Sequence, residues 1–468
     1  MTNQSPSLSQ TLYRILNPKS VTVVGASSRE ASLGHWILRS LINGGFPGGV
    51  YPVNPKGGQI LGLKVFQDIE SLPEPIDLGI IAIPGQGIPK ALELLSRKSL
   101  AGAIVTAGGF AEMGSDGKDL QTHIADIGRR SGLRLIGPNT VGIINTRSRL
   151  NASFSPNLGG SLPGNIGVIS QSGSVCETMF FRCQERGMGV SAMISSGNEA
   201  DLDLCDYLEY MIEDPDTVVI AIYVEQIRRP QRFIHLVQHR FPKKPIVLFR
   251  TGRTEQGIAA VSSHTGAMAG SDVIMTGLFR QLGLVEARSY QGFIDSAIAL
   301  AGERYPQGRR LAVVTGPGAP GVAACDSAGE EGLIMPPLGS ESAKRLESIL
   351  PSIASWRNPV DLTGSAATNP ELISQALLIV LKDTSVDGVI IVFGVLATQE
   401  ELETIIRIIT GQPKPVLVVT VASLSENKDT AAIIKRLGQH KIPCFLSPEQ
   451  AVYGFKILAD IAGTHRKK

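Results

Sequence analysis

Short apolar runs ending in glycine, serine or asparagine alternate along the chain with longer stretches whose apolar residues recur at helical spacing. In the first third the runs are Ser20-Val-Thr-Val-Val-Gly-Ala-Ser-Ser28, Val50-Tyr-Pro-Val-Asn-Pro-Lys56, Leu78-Gly-Ile-Ile-Ala-Ile-Pro84, Ala103-Ile-Val-Thr-Ala-Gly-Gly-Phe110 and Arg134-Leu-Ile-Gly-Pro-Asn139. Between them Leu33 to Asn43, 88 to 98 and 117 to 131 read as helices, after a short helical lead-in at Leu12-Tyr-Arg-Ile-Leu16. This alternation predicts an open, mainly parallel sheet covered on both faces, with ligands held at the carboxyl ends of its strands. From Asn145 to about Gly164 the chain is rich in Ser, Asn, Pro and Gly and reads as a connection.

A second α/β unit follows. Its strands are expected at the apolar run Ile166-Gly-Val-Ile and at 190–195, 218–224 and 245–249, with a closing helix at 290–302 and a linker at 303–308. The last third repeats the middle. Leu311-Ala-Val-Val-Thr-Gly-Pro-Gly-Ala319 matches Ile166-Gly-Val-Ile-Ser-Gln-Ser-Gly-Ser174, Asn358-Pro-Val-Asp-Leu362 matches Asn198-Glu-Ala-Asp-Leu202, and Lys414-Pro-Val-Leu-Val-Val419 matches Lys244-Pro-Ile-Val-Leu-Phe249. Duplication of one strand-turn-helix unit explains the pattern.

At 468 residues the chain is too long for one core. Its 43% apolar and 18% charged residues argue for a globular protein and against disorder. The net charge of +2 and the lack of a long lysine or arginine run exclude a nucleic-acid track, and His465-Arg-Lys-Lys468 reads as a solvated tail. Five cysteines, with no CxxC pair and no zinc spacing, fit reduced thiols and no metal. The start lacks a signal-peptide pattern and no uninterrupted run has membrane-spanning length, so a cytoplasmic protein with no membrane association is expected.

Two segments carry candidate chemistry. Ser170-Gln-Ser-Gly-Ser174 lies between an apolar run and a helical pattern, so it reads as a strand, a tight turn and a helix N-terminus able to receive an anion; an ordinary turn capped by Ser172 fits the same residues. His264, in Val261-Ser-Ser-His-Thr-Gly-Ala-Met-Ala-Gly270, has only small neighbours and reads as an exposed imidazole on a mobile loop, either reactive or idle. Gly252, Gly257, Gly266 and Gly270 are places for a hinge. The first turn, Gly25-Ala-Ser-Ser28, opens to phosphate size but lacks the full G-x-G-x-x-G spacing. Lys56 stands where a dinucleotide site needs a carboxylate, which disfavours NAD and suits a phosphorylated ribose; a solvated turn lysine is the plain alternative. His235 and His239 are four apart without a third ligand, and His35, His123 and His440 read as surface or helix residues.

Ser170-Gln-Ser-Gly-Ser174, Tyr223-Val-Glu-Gln-Ile227 and Ser263-His-Thr-Gly-Ala-Met-Ala-Gly270, in this order and spacing, resemble the α subunit of nucleoside-diphosphate-forming acyl-CoA synthetases. That group includes ADP-forming acetyl-CoA synthetase and is related to the succinyl-CoA synthetase α subunit. The resemblance runs from about Leu12 to the C-terminus. It implies an α/β fold class: a Rossmann-like CoA-binding domain at 1–148, a flavodoxin-like domain with the phosphohistidine loop at 149–303, and a second flavodoxin-like domain at 304–468.

It implies that Gly25, Ser27, Ser28, Lys56 and the loop from Thr106 to Glu112 contact CoA. It also implies that His264 carries the phosphoryl group, Glu225 contacts that histidine, and Ser172, Gly173 and Ser174 hold phosphate. The reaction implied is reversible: acyl-CoA, phosphate and NDP give carboxylate, CoA and NTP through an acyl phosphate and a phosphohistidine. Thr140 stands where the succinyl enzyme has a cysteine, and Glu177 where it has a tyrosine, so succinate is not implied. No ATP-grasp region is read in the chain. A separate ATP-grasp β subunit is therefore expected to bind ATP or ADP with Mg²⁺, in an αβ hetero-oligomer. The competing expectation is a non-catalytic CoA-binding regulatory or scaffold module, related to the synthetase half of protein acetyltransferases.

Overall fold

A computed structural model describes residues 7–155, 162–240, 244–265, 272–369, 371–393, 399–421 and 428–466. The lead-in helix Leu8–Leu16 starts one turn earlier than its apolar spacing suggested, because Ser7 and Gln10 form a reciprocal capping box. Leu12, Ile15 and Leu16 are its buried face.

Strands β1 (Ser20–Val24), β2 (Gly49–Val53), β5 (Leu78–Ile81), β6 (Gly102–Val105) and β7 (Arg134–Ile136) form a parallel sheet in the order β2-β1-β5-β6-β7. A small hairpin of β3 (Gln59–Ile60) and β4 (Leu63–Lys64), not foreseen from the sequence, follows β2. Every residue of β1, β5 and β6 is buried, as expected for parallel strands covered on both faces. The covering helices are Leu33–Asn43, Ile88–Ser96 and Ser115–Ser131. All the strands point one way, so the turns after Val24, Val53 and Val105 share one edge of the sheet.

The second sheet begins within what the sequence presented as the end of the first domain and a connection. Strands β8 (Gly142–Asn145) and β9 (Leu150–Ser153) pair antiparallel, and β8 lies antiparallel to β11 (Val190–Ser195). With β10 (Pro163–Ser170), β12 (Val219–Val224) and β13 (Ile246–Arg250) the order is β13-β12-β10-β11-β8-β9, the β13-β12-β10-β11 part being parallel. Arg134 clamps this arrangement to the first sheet: Nε and Nη2 donate to both oxygens of Asp201 at 2.8 and 2.9 Å, and the Leu135 amide donates to the same carboxylate at 2.8 Å. Both sheets belong to one compact unit, residues 1–181 with 189–284.

The other unit comprises residues 182–188 and 285–468. Strand β14 (Val285–Ala287) opens its main segment. Its own sheet is parallel, in the order β16-β15-β17-β18-β19, from β15 (Leu311–Thr315), β16 (Val360–Asp361), β17 (Gly388–Phe393), β18 (Val416–Thr420) and β19 (Cys444–Phe445). The repeat read from the sequence reappears in the turns: Ser170 Oγ donates to Ser172 O and Thr315 Oγ1 to Pro317 O, each at 2.6 Å. Lys244 and Lys414 also correspond, each donating from Nζ to a carbonyl at the end of the helix one before the last, Met211 O in Leu204–Glu213 and Asp383 O just after Glu371–Lys382.

One matched segment is out of register. Thr315 pairs with Asp361 as Ser170 pairs with Ser195, so Asp361 corresponds to Ser195 and not to Asp201. Sheet pairing fixes that alignment, and it overrides the likeness of Asn358-Pro-Val-Asp-Leu to Asn198-Glu-Ala-Asp-Leu.

Candidate active site

Strand β10 delivers its last residue, Ser170, fully buried, into the turn that starts helix Gly173–Glu185. The Ser172 amide donates to Ser170 Oγ at 3.2 Å, and Ser172 Oγ caps the helix by accepting from the Val175 amide at 3.5 Å. Ser172 and Ser174 bring their hydroxyls to 3.1 Å of each other. A Cβ on Gly173 would lie 2.5 Å from Val141 Cγ2, so glycine alone fits that close approach. The first-turn amides of a helix have no partner within it and carry its positive end, which makes this turn chemically suited to an anion.

Glu225 follows the end of β12. The Gln171 side chain accepts from the Glu225 and Gln226 amides at 2.6 and 3.0 Å and donates to Gln226 O at 2.8 Å, which locks this strand end to the serine turn. Tyr223 O–H donates to Glu225 Oε1 at 3.3 Å. Ser172, Gly173, Ser174 and Glu225 line one cavity of about 610 Å³, and Thr106 and Glu112 from the first sheet's loops line it too. Thr106 bounds this space, but its hydroxyl is committed inward, donating to Ile81 O at 3.0 Å.

Glu112 is held from both sides: Oε1 accepts from the Gly109 and Phe110 amides at 2.7 and 3.2 Å, and Oε2 accepts from Asn198 Nδ2. Burial acts to raise its carboxyl, but the Asn198 bond and these amides outweigh burial and hold it below the ordinary value. Asn198 also donates to Gln121 Oε1 at 3.0 Å. Next to it Glu199, 3% exposed, forms part of the cavity wall. Burial pushes its carboxyl up to about 7, against weaker lowering by Gln171 and Ser196. The sequence reading missed Gln171, Asn198 and Glu199 as site residues. The signal was their place: each follows the carboxyl end of a parallel strand, where such sheets keep their ligands.

The other first-domain candidates sit on the same sheet edge without lining this cavity. Gly25 has φ +92°, and a Cβ there would lie 2.4 Å from Ala82 O. Ser27 Oγ accepts from the Arg29 amide at 3.1 Å, and Ser28 and Lys56 are exposed. Asn54 joins the two strand ends, donating to Ala26 O at 2.7 Å and accepting from the Lys56 amide at 2.9 Å. His35, read as a surface or helix residue, is 6% exposed with Nδ1 3.1 Å from Ser27 O, and so supports the serine turn from beneath.

The His264 expectation needs correction in its backbone. Residues Glu255–Thr265 form a helix, so His264 stands in a last helical turn and not in a loop. Thr254 starts that helix, its Oγ1 accepting from the Gly257 amide at 3.1 Å and its carbonyl from the Ile258 amide at 2.8 Å, and Ala259 and Ala260 favour its continuation. The His264 side chain and Gly266 and Gly270 lie outside the described residues. The helix itself packs against the turn Ala111–Met113, all three residues of which line the cavity.

His235 and His239 lie on helix Pro230–Arg240 with ring centroids 4.4 Å apart and planes tilted by 49°. Among the described residues no cluster of three or more His, Cys, Asp or Glu is placed to hold a metal, and no helix is long and apolar enough to cross a membrane. The five cysteines are free, and burial pushes the thiols of Cys183, Cys205 and Cys444 up to about 12.

Comparison with known proteins agrees with this layout. Residues 19–146 match a family model described as a CoA binding domain, and 163–300 match one described as a succinyl-CoA ligase like flavodoxin domain. The chain is 34% identical over 456 residues to the α subunit of ADP-forming acetate–CoA ligase I of Pyrococcus furiosus, covering 96% of this chain and 97% of that one. It is 35% identical over 450 residues to ADP-forming acetate–CoA ligase I of Archaeoglobus fulgidus, covering 96% of this chain and 63% of that longer protein. A solved structure of dinucleotide forming acetyl-coenzyme A synthetase 1 of Ca. Korarchaeum cryptofilum, in complex with phosphate and ADP, superposes with a TM-score of 0.86 at 32% identity over 97% of each chain. Identity and coverage together show that the chain is a ligase subunit belonging to the NDP-forming acyl-CoA synthetase α subunits, the family of the ADP-forming acetate–CoA ligases.

Proposed function

We propose that this chain catalyses the exchange of an acyl-CoA thioester with phosphate and carries the phosphoryl group on His264 to a nucleotide held by a partner subunit. One observation carries the reading. The loop Thr106 to Glu112, at the ligand edge of the first sheet, and the turn Ser172 to Ser174, at a helix N-terminus, line the same cavity. A thioester brought by the first and a phosphate held by the second would meet there. Gly25, Ser27, Ser28 and Lys56 would hold the nucleotide end of CoA along the same edge.

Phosphate oxygen attacks the thioester carbonyl, the C–S bond breaks, and an acyl phosphate forms. A neutral ring nitrogen of His264 then takes the phosphoryl group and releases the carboxylate. Glu225 would orient and stabilise the charged imidazole, and the Ser172 hydroxyl with the Gly173 and Ser174 amides would neutralise the phosphoryl oxygens. The naming of its relatives as α subunits implies a partner. We take that partner to be an ATP-grasp β subunit that binds ADP or ATP with Mg²⁺ in a cytoplasmic αβ hetero-oligomer. We retain the division into a CoA-binding domain and two flavodoxin-like domains. Acetate is the acid named for the relatives above, and it is the first substrate to test.

The test is intact-mass spectrometry at neutral or alkaline pH after incubation with phosphate and a panel of acyl-CoAs. An acid-labile phosphoryl adduct on the wild type and none on His264→Ala is the expected result. No adduct on the wild type, alone or with a candidate β subunit, nucleoside triphosphate and Mg²⁺, would overturn the reading.

A further inference from the structure

Glu199 is the unexplained group of this cavity. Its side chain is 1% exposed, yet among the described residues Oε2 meets no donor in hydrogen-bond geometry, Gln171 acting on the carboxyl less than burial does, whereas buried carboxylates ordinarily have both oxygens satisfied. Ser196 Oγ donates to Oε1 at 2.9 Å. Arg228 keeps Nε 3.7 Å from Oε2, beyond hydrogen-bond distance, and is half exposed. The backbone is strained into this orientation: Glu199 has φ +53°, a left-handed conformation that a non-glycine residue adopts only at a cost. Its neighbours are pinned, with the Asn198 and Ala200 amides donating to Pro138 O and Gly137 O, each at 2.9 Å. A strained, clamped residue with one carboxyl oxygen unpartnered among the described residues thus lines the cavity that also contains the serine turn.

We propose that Glu199 is the acid–base residue of the thioester step, with Oε2 taking the proton of the attacking hydrogen phosphate and passing it to the departing CoA sulfur. This role rests on the reaction proposed above. The step balances: a phosphate oxygen forms the new C–O bond, the C–S bond breaks with its electron pair on sulfur, and the phosphate proton reaches the thiolate by way of the carboxylate. In reverse, the carboxylate deprotonates the CoA thiol, which attacks the acyl phosphate. A proton carrier for this step must give and take near neutrality, and burial gives Glu199 that property at about 7. The charged groups around it divide: Asp203 raises its carboxyl and Arg228 lowers it, Tyr207 feels its charge, and Glu112 and Glu225 face the same cavity.

The test measures phosphate-dependent release of free CoA by the full chain from its productive acyl-CoA, across neutral pH, for wild type, Glu199→Gln and Glu199→Asp. Glu199→Gln should remain folded by thermal melting, release CoA about 100-fold more slowly or worse, and lose the limb of the pH profile near neutrality. Glu199→Asp should keep that limb at a reduced rate. Infrared difference spectra of wild type against Glu199→Gln, recorded without substrate, should show one protonated carboxyl persisting into neutral pH. Glu199→Gln activity within about threefold of wild type, or a carboxyl ionised throughout, would overturn the role while leaving the synthetase reading intact. A wild type that releases no CoA from any acyl-CoA would overturn the synthetase reading and the Glu199 role together.

Discussion

Glutamine at position 199 keeps the volume of the side chain and removes its ionisation, so it isolates the energetic cost of this buried carboxyl. In the folded chain the group titrates near 7, against an ordinary value of 4.5. Between those values the folded state keeps a proton that the unfolded chain gives up. The stability contributed by the neutral form is therefore complete below about 4.5 and lost as pH rises through about 7. The gap is worth about 3 kcal/mol, an upper figure because relaxation around the charge would reduce it. Glutamine has no such term. The stability of Glu199→Gln relative to wild type should thus climb by up to about 3 kcal/mol between roughly pH 4.5 and pH 8, enough to separate the melting transitions by several degrees.

Asp295, which burial pushes up to about 6, titrates in the same window but is common to both proteins and cancels in the difference. The chain holds two compact units and need not melt as one. The suitable assay is therefore hydrogen exchange of peptides from β10 and β11, whose ends frame residue 199, at several pH values. A stability difference that stays constant across the window would show that Glu199 is ionised in the fold at ordinary pH, and the burial argument would fail.

Gly34 faces the first turn, where an added Cβ would stand 2.0 Å from Gly25 O, so Gly34→Ala should cost about 1–3 kcal/mol or more and weaken CoA binding by displacing that turn; unchanged melting and calorimetric CoA affinity would contradict the packing. Asn198→Ala strips Glu112 and Gln121 of a shared donor, at a general cost of about 1–3 kcal/mol. Glu112 is depressed in the fold, so its stabilising contribution is present above 4.5 and lost as pH falls through its lower folded value. Asn198→Ala should raise that folded value and shrink the acid limb, and parallel acid-unfolding curves for the two proteins would refute the bond's role.

Much of the architecture was legible in the sequence because parallel strands buried on both faces are written as continuous apolar runs with glycine or serine at their ends. Thr106, Glu112, Ser172, Gly173, Ser174 and Glu225 follow such runs, and the cavity collects them. The hairpin β8-β9 was missed because Arg147 to Asn151 carries polar residues that read as linker, although Ile143 and Ile144 are buried in the sheet. His264 was read as a loop residue because serine and glycine surround it, whereas capping at Thr254 and the alanines upstream carry the helix through it. Asn198 and Glu199 were invisible for another reason. Their importance lies in what long-range folding brings near them, Gln121 and Glu112 for one and burial in the cavity wall with Oε2 unpartnered among the described residues for the other, and local spacing holds no trace of either.

The repeat places two similar turns at helix starts, and they differ in what they offer the phosphate proposed above. Both copies bend through the same side-chain-to-carbonyl bond, from Ser170 in the first and Thr315 in the second. In the second copy Pro317 and Ala319 stand where the first has Ser172 and Ser174, so the paired hydroxyls are gone. The position of buried Ser195 is taken by Asp361, and a methyl on Gly318 would lie 3.0 Å from Asp361 Oδ2. The positive end of helix Gly318–Glu330 therefore already faces a carboxyl of its own chain. A phosphate arriving there would meet like charge before it reached the helix amides. The two copies thus differ at this turn, with paired hydroxyls at the helix start in one and a carboxyl of the chain itself in the other, and that difference favours the first copy for the phosphate site proposed above.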